Sequence, residues 1–293
     1  MTVLSDMFAG LRAENRAALV GYLPAGYPDL VASKELYAAI IEGGPAGGCD
    51  LVEVGLPFSD PVLDGPSVQH AAGQALANGF RVRDTFDIVE SVTARGGRAV
   101  VMTYFNPVLA YGVDAFARDL AAAGGAGVIT PDLIVDEAGP WLDAVHAHGI
   151  DPIFLVAPSS SVERIALTTA AGGGFVYAAS VMGVTGARDQ VSTAAPELVA
   201  RCRTVTDLPI GVGLGVRTGA QARQIAEYAD AVIVGSAFLD AYARGGRDAL
   251  GALAGELAAG VRSAVRTVGR PAASGRADPS VDSLPDSSGF VTR

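Results

Sequence analysis

Eight short apolar runs, each followed by residues at helical spacing, constrain this chain more than any other feature. The runs fall at 18–23, 50–54, 98–103, 127–130, 152–156, 174–179, 210–213 and 231–234. Helices are expected between and after them, at 29–42, 67–78, 84–94, 114–123, 136–147, 162–170, 195–204, 219–228 and 240–267. The runs are continuous in Val, Ile, Leu and Ala rather than alternating, as strands buried on both faces require. Eight parallel strands joined by right-handed crossovers over roughly 250 residues fit an α/β fold of the (β/α)8, or TIM, barrel type better than an open doubly wound sheet. An extra N-terminal helix is expected over 4–15, with Leu4, Met7, Phe8 and Leu11 on one face and Ser5 as its N-cap. The expected barrel spans 1–269, and the Pro-, Ser-, Gly- and Asp-rich stretch 270–293 reads as a disordered tail.

Composition narrows the function. Half of the 293 residues are hydrophobic, enough for a large core. The net charge is −10, from 21 basic and 31 acidic residues, and no basic stripe occurs, which argues against nucleic-acid or anionic-membrane partners. An anionic substrate would have to be held by backbone N–H groups. Cys49 and Cys202 are far apart and without metal-type spacing, so they read as buried reduced thiols. With only three histidines, two of them at 146 and 148, neither a metal site nor a His-based triad is expected. The N-terminus lacks a signal pattern and no apolar run reaches the roughly 18 residues of a membrane span, so a cytoplasmic location is expected.

In a barrel, residues just past the strands share one rim. After strand one come Tyr22 and Pro24, after strand two Asp64, and after strand three Tyr104, Asn106 and Pro107. Glu53 interrupts an apolar strand, where an unpaired charge costs several kcal/mol unless its pKa moves or it finds a partner. It is either a structural acid satisfied by a hydroxyl such as that of Tyr104, or a working one. Asp60 and Asp64 follow on a stiff loop of prolines and glycines, where they either cap turns or act. A buried acid and a loop acid at one rim have environments that push their pKa values apart, as acid and base roles demand. Past strand seven, Gly211, Gly213 and Gly215 alternate, and past strand eight Gly235 and Ser236 open a helix. That pairing suits a phosphate seat, although close packing also asks for glycine. The stretch 180–186 after strand six suits either a closing lid or an ordinary surface loop. Together these residues point to proton shuttling on a small phosphorylated substrate without a metal.

The stretch from Glu53-Val54-Gly55-Leu56-Pro57-Phe58-Ser59-Asp60 to Pro61-Val62-Leu63-Asp64-Gly65-Pro66, with Gln69 beyond, resembles the signature of the tryptophan synthase alpha chain family. Met102-Thr103-Tyr104-Phe105-Asn106-Pro107-Val108, Pro131-Asp132-Leu133, Gly174-Phe175-Val176-Tyr177, Gly183-Val184-Thr185-Gly186 and Gly235-Ser236-Ala237 follow in that family's order, so the similarity covers about 4–267. The resemblance implies a (β/α)8 barrel and a retro-aldol lyase that cleaves indole-3-glycerol phosphate into indole and glyceraldehyde 3-phosphate. By matching positions, Glu53 is the general acid and Asp64 accepts the indole N–H. Tyr22 lies against the indole, Tyr104 belongs to the substrate pocket, Tyr177 stands near Glu53, and Thr185 is the lid residue that closes on Asp64. Gly186, Gly213, Gly235 and Ser236 match the phosphate cradle. The resemblance also implies no cofactor in this chain, with pyridoxal phosphate held only by a partner beta chain in an alpha2beta2 tetramer. Loops two and six would touch that partner.

Three departures stand out. Val212 replaces a usual Phe and would loosen one wall of the indole pocket, Ile134 replaces a common proline in a loop near the partner, and Gly215 replaces a frequent Ser. Two rival readings remain: a sugar-phosphate isomerase or epimerase barrel, which leaves the Glu53 and Asp64 pair without a reason, and a silent barrel that only activates a partner, which should have lost one acid.

Overall fold

The apolar runs become strands wherever they were expected. In the computed structural model, which describes residues 1–179, 194–213 and 215–266, these are β1 (Ala18–Pro24), β2 (Leu51–Gly55), β3 (Ala99–Met102), β4 (Gly127–Ile129), β5 (Asp151–Ile153), β6 (Leu155–Val156), β7 (Val176–Ala179), β8 (Ile210–Gly213) and β9 (Ala231–Val234). They form one sheet in the order β5-β4-β3-β2-β1-β9-β8-β7-β6, parallel at every pairing. The ninth segment is the fifth barrel strand interrupted at Phe154, whose carbonyl still accepts from Tyr177 N at 3.1 Å. Because the two ends of the sheet order are separated by that one residue, the sheet curls into a nearly closed barrel, and the expected eight-stranded fold holds.

The strands sort their side chains into two cores. Val20, Leu51, Val100, Ile129, Ile153, Phe175, Ala231 and Ile233 fill the barrel, with Met102, Leu155 and Tyr177 above them. Alternation then aims Tyr22 and Glu53 into the barrel as well. Leu19, Val52, Val54, Val101, Val128, Val176, Val212, Val232 and Val234 face the surrounding helices. This corrects one expectation: Val212 packs in the outer layer, and the inward positions of β8 are Gly211 and Gly213, so Val212 forms no wall of the barrel interior.

The first helix, α1 (Val3–Ala13), closes the lower end of the barrel. Its Leu4, Met7, Phe8 and Leu11 join the interior core, and Phe8 meets Phe175 with ring centroids 5.8 Å apart. Burying each such side chain contributes about 1.5–3 kcal/mol. Its cap is Thr2, not Ser5: the Thr2 hydroxyl accepts from Ser5 N at 3.3 Å and donates to Asp151 Oδ2 at 2.7 Å. Other carboxylates at this end are also partnered. Asp50 accepts from Arg16 and Leu19 N, and Asp230 accepts from Arg203, Arg266 and Ile210 N.

Around the barrel run α2 (Leu30–Glu42), α3 (Pro66–Ala77), α4 (Asp84–Thr93), α5 (Phe105–Tyr111), α6 (Val113–Ala122), α7 (Gly139–Ala147), α8 (Val162–Ala171), α9 (Ala194–Arg203), α10 (Gly219–Ala226) and α11 (Ser236–Arg262). The short α5, just after β3, was not expected. In addition, α11 starts directly at Ser236 and is interrupted at Gly245 and Gly246. The 180–186 stretch and the 270–293 stretch lie outside the described residues. No helix among the described residues is long and apolar enough to cross a membrane.

Candidate active site

Glu53 is the most unusual residue of the upper rim. It is 0% exposed, it sits in β2 beside Tyr22 of β1 and Val100 of β3, and among the described residues neither carboxylate oxygen has a hydrogen-bond partner. Tyr104 does not satisfy it. Burial without compensation disfavours the charged form, so the Glu53 carboxyl is pushed up to about 8 and keeps its proton at neutral pH. The lower-end carboxylates sit among donors, and this upper one has none among the described residues.

Two tyrosines frame it. The Tyr22 and Tyr177 hydroxyls are both raised well above the usual phenol range, first by burial and then by the charges of Glu53 and Asp64. Both rings therefore lie in the field of both acids, and that is how the structure brings Glu53, Asp64, Tyr22 and Tyr177 to one mouth. The rings need space that only glycine leaves. A Cβ at Gly55 would lie 2.5 Å from the Tyr22 hydroxyl, one at Gly213 would lie 2.9 Å from the Tyr177 hydroxyl, and one at Gly235 would lie 3.2 Å from the Tyr22 ring. A third hydroxyl, that of Tyr37 on α2, escaped sequence reasoning. It donates to the Leu23 carbonyl and also feels the Glu53 charge.

Asp64 stands on the loop between β2 and α3, half-buried, with its carboxyl raised by burial. Asp60 is exposed and accepts from the hydroxyl of its neighbour Ser59 at 2.6 Å. Tyr104, buried just before α5, holds this loop: its hydroxyl oxygen accepts from Val62 N at 3.0 Å and Leu63 N at 2.9 Å, and its ring lies 5.0 Å from that of Phe58. Gln69 donates to the Asp64 carbonyl at 2.8 Å. Nothing in the sequence near either residue signals these contacts.

Gly213 ends β8 and Gly235 precedes α11, so both lie at the same rim as the acids. The N-cap of α11 is Gly235, which has no side chain to cap the helix, so the Ser236 and Ala237 amides have no intrahelical acceptor, while Phe238 N donates to the Gly235 carbonyl at 2.9 Å. Thr185 and Gly186 lie outside the described residues. Among the described residues no cluster of His, Cys, Asp and Glu could hold a metal ion. Cys49 and Cys202 are both buried, and burial raises both thiols, which makes them poor nucleophiles. A glutamic acid protonated at neutral pH, a second carboxylate on a loop, and an uncapped helix start suit acid–base chemistry on a small anionic molecule.

Comparison with known proteins identifies the family. The family model described as tryptophan synthase alpha chain matches residues 8–261. The tryptophan synthase alpha chain of Mycolicibacterium paratuberculosis is 63% identical over 259 residues, covering 88% of this chain and 94% of that protein. That of Nocardia farcinica is 63% identical over 261 residues, covering 89% and 96%. A solved structure of Mycobacterium tuberculosis tryptophan synthase superposes with a TM-score of 0.84 at 62% identity, over 89% of this chain and 98% of that one. A mutant alpha-subunit from Pyrococcus furiosus gives 0.75 at 31% identity, over 83% and 98%. The chain belongs to the tryptophan synthase alpha chain family of lyases.

Proposed function

We propose that the barrel mouth cleaves indole-3-glycerol phosphate to indole and glyceraldehyde 3-phosphate, with Glu53 as general acid and Asp64 as the carboxylate facing the indole N–H. Breaking a carbon–carbon bond to an aromatic ring requires the ring carbon to be protonated first. The donor must therefore still hold its proton near pH 7, and the unpartnered burial of Glu53 is the observation that carries this reading. The ring nitrogen then bears positive charge, which a fixed Asp64 carboxylate stabilises. As the bond to the glycerol carbon breaks, its electron pair returns to the ring. The glycerol hydroxyl becomes the aldehyde and gives its proton to the Glu53 carboxylate, so the acid is restored for the next turnover.

Tyr22 and Tyr177 are the walls for the indole, and Tyr104 lies beside it. The phosphate rests on the start of α11 at Gly235 and Ser236, with Gly213 and Gly186 alongside. Thr185 closes over Asp64 and excludes water, which strengthens every charge interaction in the site. The chain needs no cofactor of its own in this scheme. Its single lysine, Lys34, lies on the outer helix α2. Pyridoxal phosphate belongs to a partner beta chain that receives the indole, in an alpha2beta2 assembly within the cytoplasm.

The test is indole release by the purified chain, alone and with a beta chain. The native protein is expected to release indole, and Glu53→Gln is expected to abolish release while leaving the fold and partner binding intact. Retention of more than a few per cent of activity would remove the acid role from Glu53. Asp64→Asn should also lose most activity, because the amide is the same size but carries no charge. Absence of activity in the native chain under both conditions would favour a barrel that only activates its partner.

A further inference from the structure

We propose that Tyr104 and Gln69 are positioning residues that hold Asp64 for the reaction, acting through the backbone of its loop rather than through the substrate. This rests on the role given to Asp64 above. The hydroxyl oxygen of Tyr104 accepts from two successive amides, Val62 N at 3.0 Å and Leu63 N at 2.9 Å, immediately before Asp64. Gln69, one turn into α3, donates from Nε2 to the Asp64 carbonyl at 2.8 Å. The peptide unit that follows Asp64 and the two units ending at the Val62 and Leu63 amides ahead of it are therefore held by groups from two different elements.

Tyr104 is itself stationed before it stations the loop. Its carbonyl accepts from the buried Thr103 hydroxyl at 2.8 Å, and the next amide, Phe105 N, donates to both Asp132 oxygens at 2.9 and 3.1 Å. Asp132 lies past β4, so the tyrosine is anchored to the barrel by the neighbouring strand's loop. The clamp does little to bury apolar surface, because the central loop residue Val62 remains 71% exposed. What the clamp fixes is direction. A misplacement of about 1 Å in such a group can cost up to about a hundredfold in rate. Moreover, with both acceptor positions of the Tyr104 oxygen filled by amides, toward a ligand that hydroxyl can only donate.

The experiment measures kcat and KM for indole release, with the beta chain present, for Tyr104→Phe and Gln69→Ala, each in the native and the Asp64→Asn backgrounds. Tyr104→Phe keeps the ring against Phe58 and removes the hydroxyl that accepts from both amides. It is expected to lower kcat about tenfold or more, with KM within about twofold and a near-native melting temperature, and to speed hydrogen exchange at Val62 and Leu63. In the Asp64→Asn background the same substitution should cost less than about twofold, because the group it positions has gone. Unchanged kcat in Tyr104→Phe, or an equal fold-loss in both backgrounds, would overturn the proposal. Full activity in Asp64→Asn alone would instead remove the role of Asp64, and this proposal with it.

Discussion

A glutamic acid sealed in a barrel, with no donor among the described residues, carries a cost that depends on pH. Below pH 4.5 the Glu53 carboxyl is protonated in the folded and the unfolded chain alike, and its burial is fully tolerated. Between 4.5 and about 8 only the unfolded chain releases the proton, so stability falls as pH rises through that window and levels off above it. Each pKa unit is about 1.4 kcal/mol, so the contribution lost is about 3 kcal/mol at pH 7 and about 5 kcal/mol above pH 8. Glu53→Gln removes this slope. Thermal unfolding across pH should show the variant more stable than the native chain at pH 8, with the gap closing toward pH 5. A constant gap would mean that Glu53 is ionised in the folded protein and has a partner. The same residue was conspicuous in the sequence, since an acid within an apolar strand is legible without a structure. Its lack of a partner among the described residues was not, because whether a hydroxyl such as that of Tyr104 reaches the carboxyl is decided by tertiary placement and not by local sequence.

Among the elements, the start of α11 is the one given a ligand. If it seats a phosphate, glycerol 3-phosphate should slow hydrogen exchange at the Ser236 and Ala237 amides, and unchanged exchange there would leave Gly235 as a packing residue under Tyr22. The eight barrel strands were legible because strands buried on both faces are written as continuous apolar runs. That same continuity hides which residues point inward, since nothing alternates: Val212 packs outward, and the inward positions of its strand are Gly211 and Gly213. Likewise α5 was missed, because its start depends on a distant loop: the Phe105 amide is satisfied by Asp132 past β4. The cap of α1 is also decided from afar, because Asp151 holds the Thr2 hydroxyl from 149 residues away. Local spacing carries elements, and contacts between distant loops carry their fine placement.

For the whole molecule, the rim that holds the chemistry also carries three of the exposed large apolar residues. Val62 after β2, Leu109 on α5 after β3, and Ile134 after β4 are 71%, 56% and 50% exposed, and all lie past the carboxyl ends of successive strands. We expect this strip to be covered by the beta chain. Ile134→Asp should weaken binding of that partner about tenfold or more in a titration while leaving the melting temperature of the isolated chain within a few degrees, and unaltered binding would place the contact elsewhere. The uncapped start of α11 has a further consequence, for how substrate arrives. The molecule carries a net charge of −10, and what it offers a phosphate at that helix start is peptide dipoles, whose pull fades within a turn. A dianion therefore approaches against the overall field and is held only after it has entered. Raising ionic strength from roughly 10 mM to roughly 150 mM shortens the Debye length from about 30 Å to about 8 Å and should raise kcat/KM severalfold, the reverse of a cation-steered enzyme.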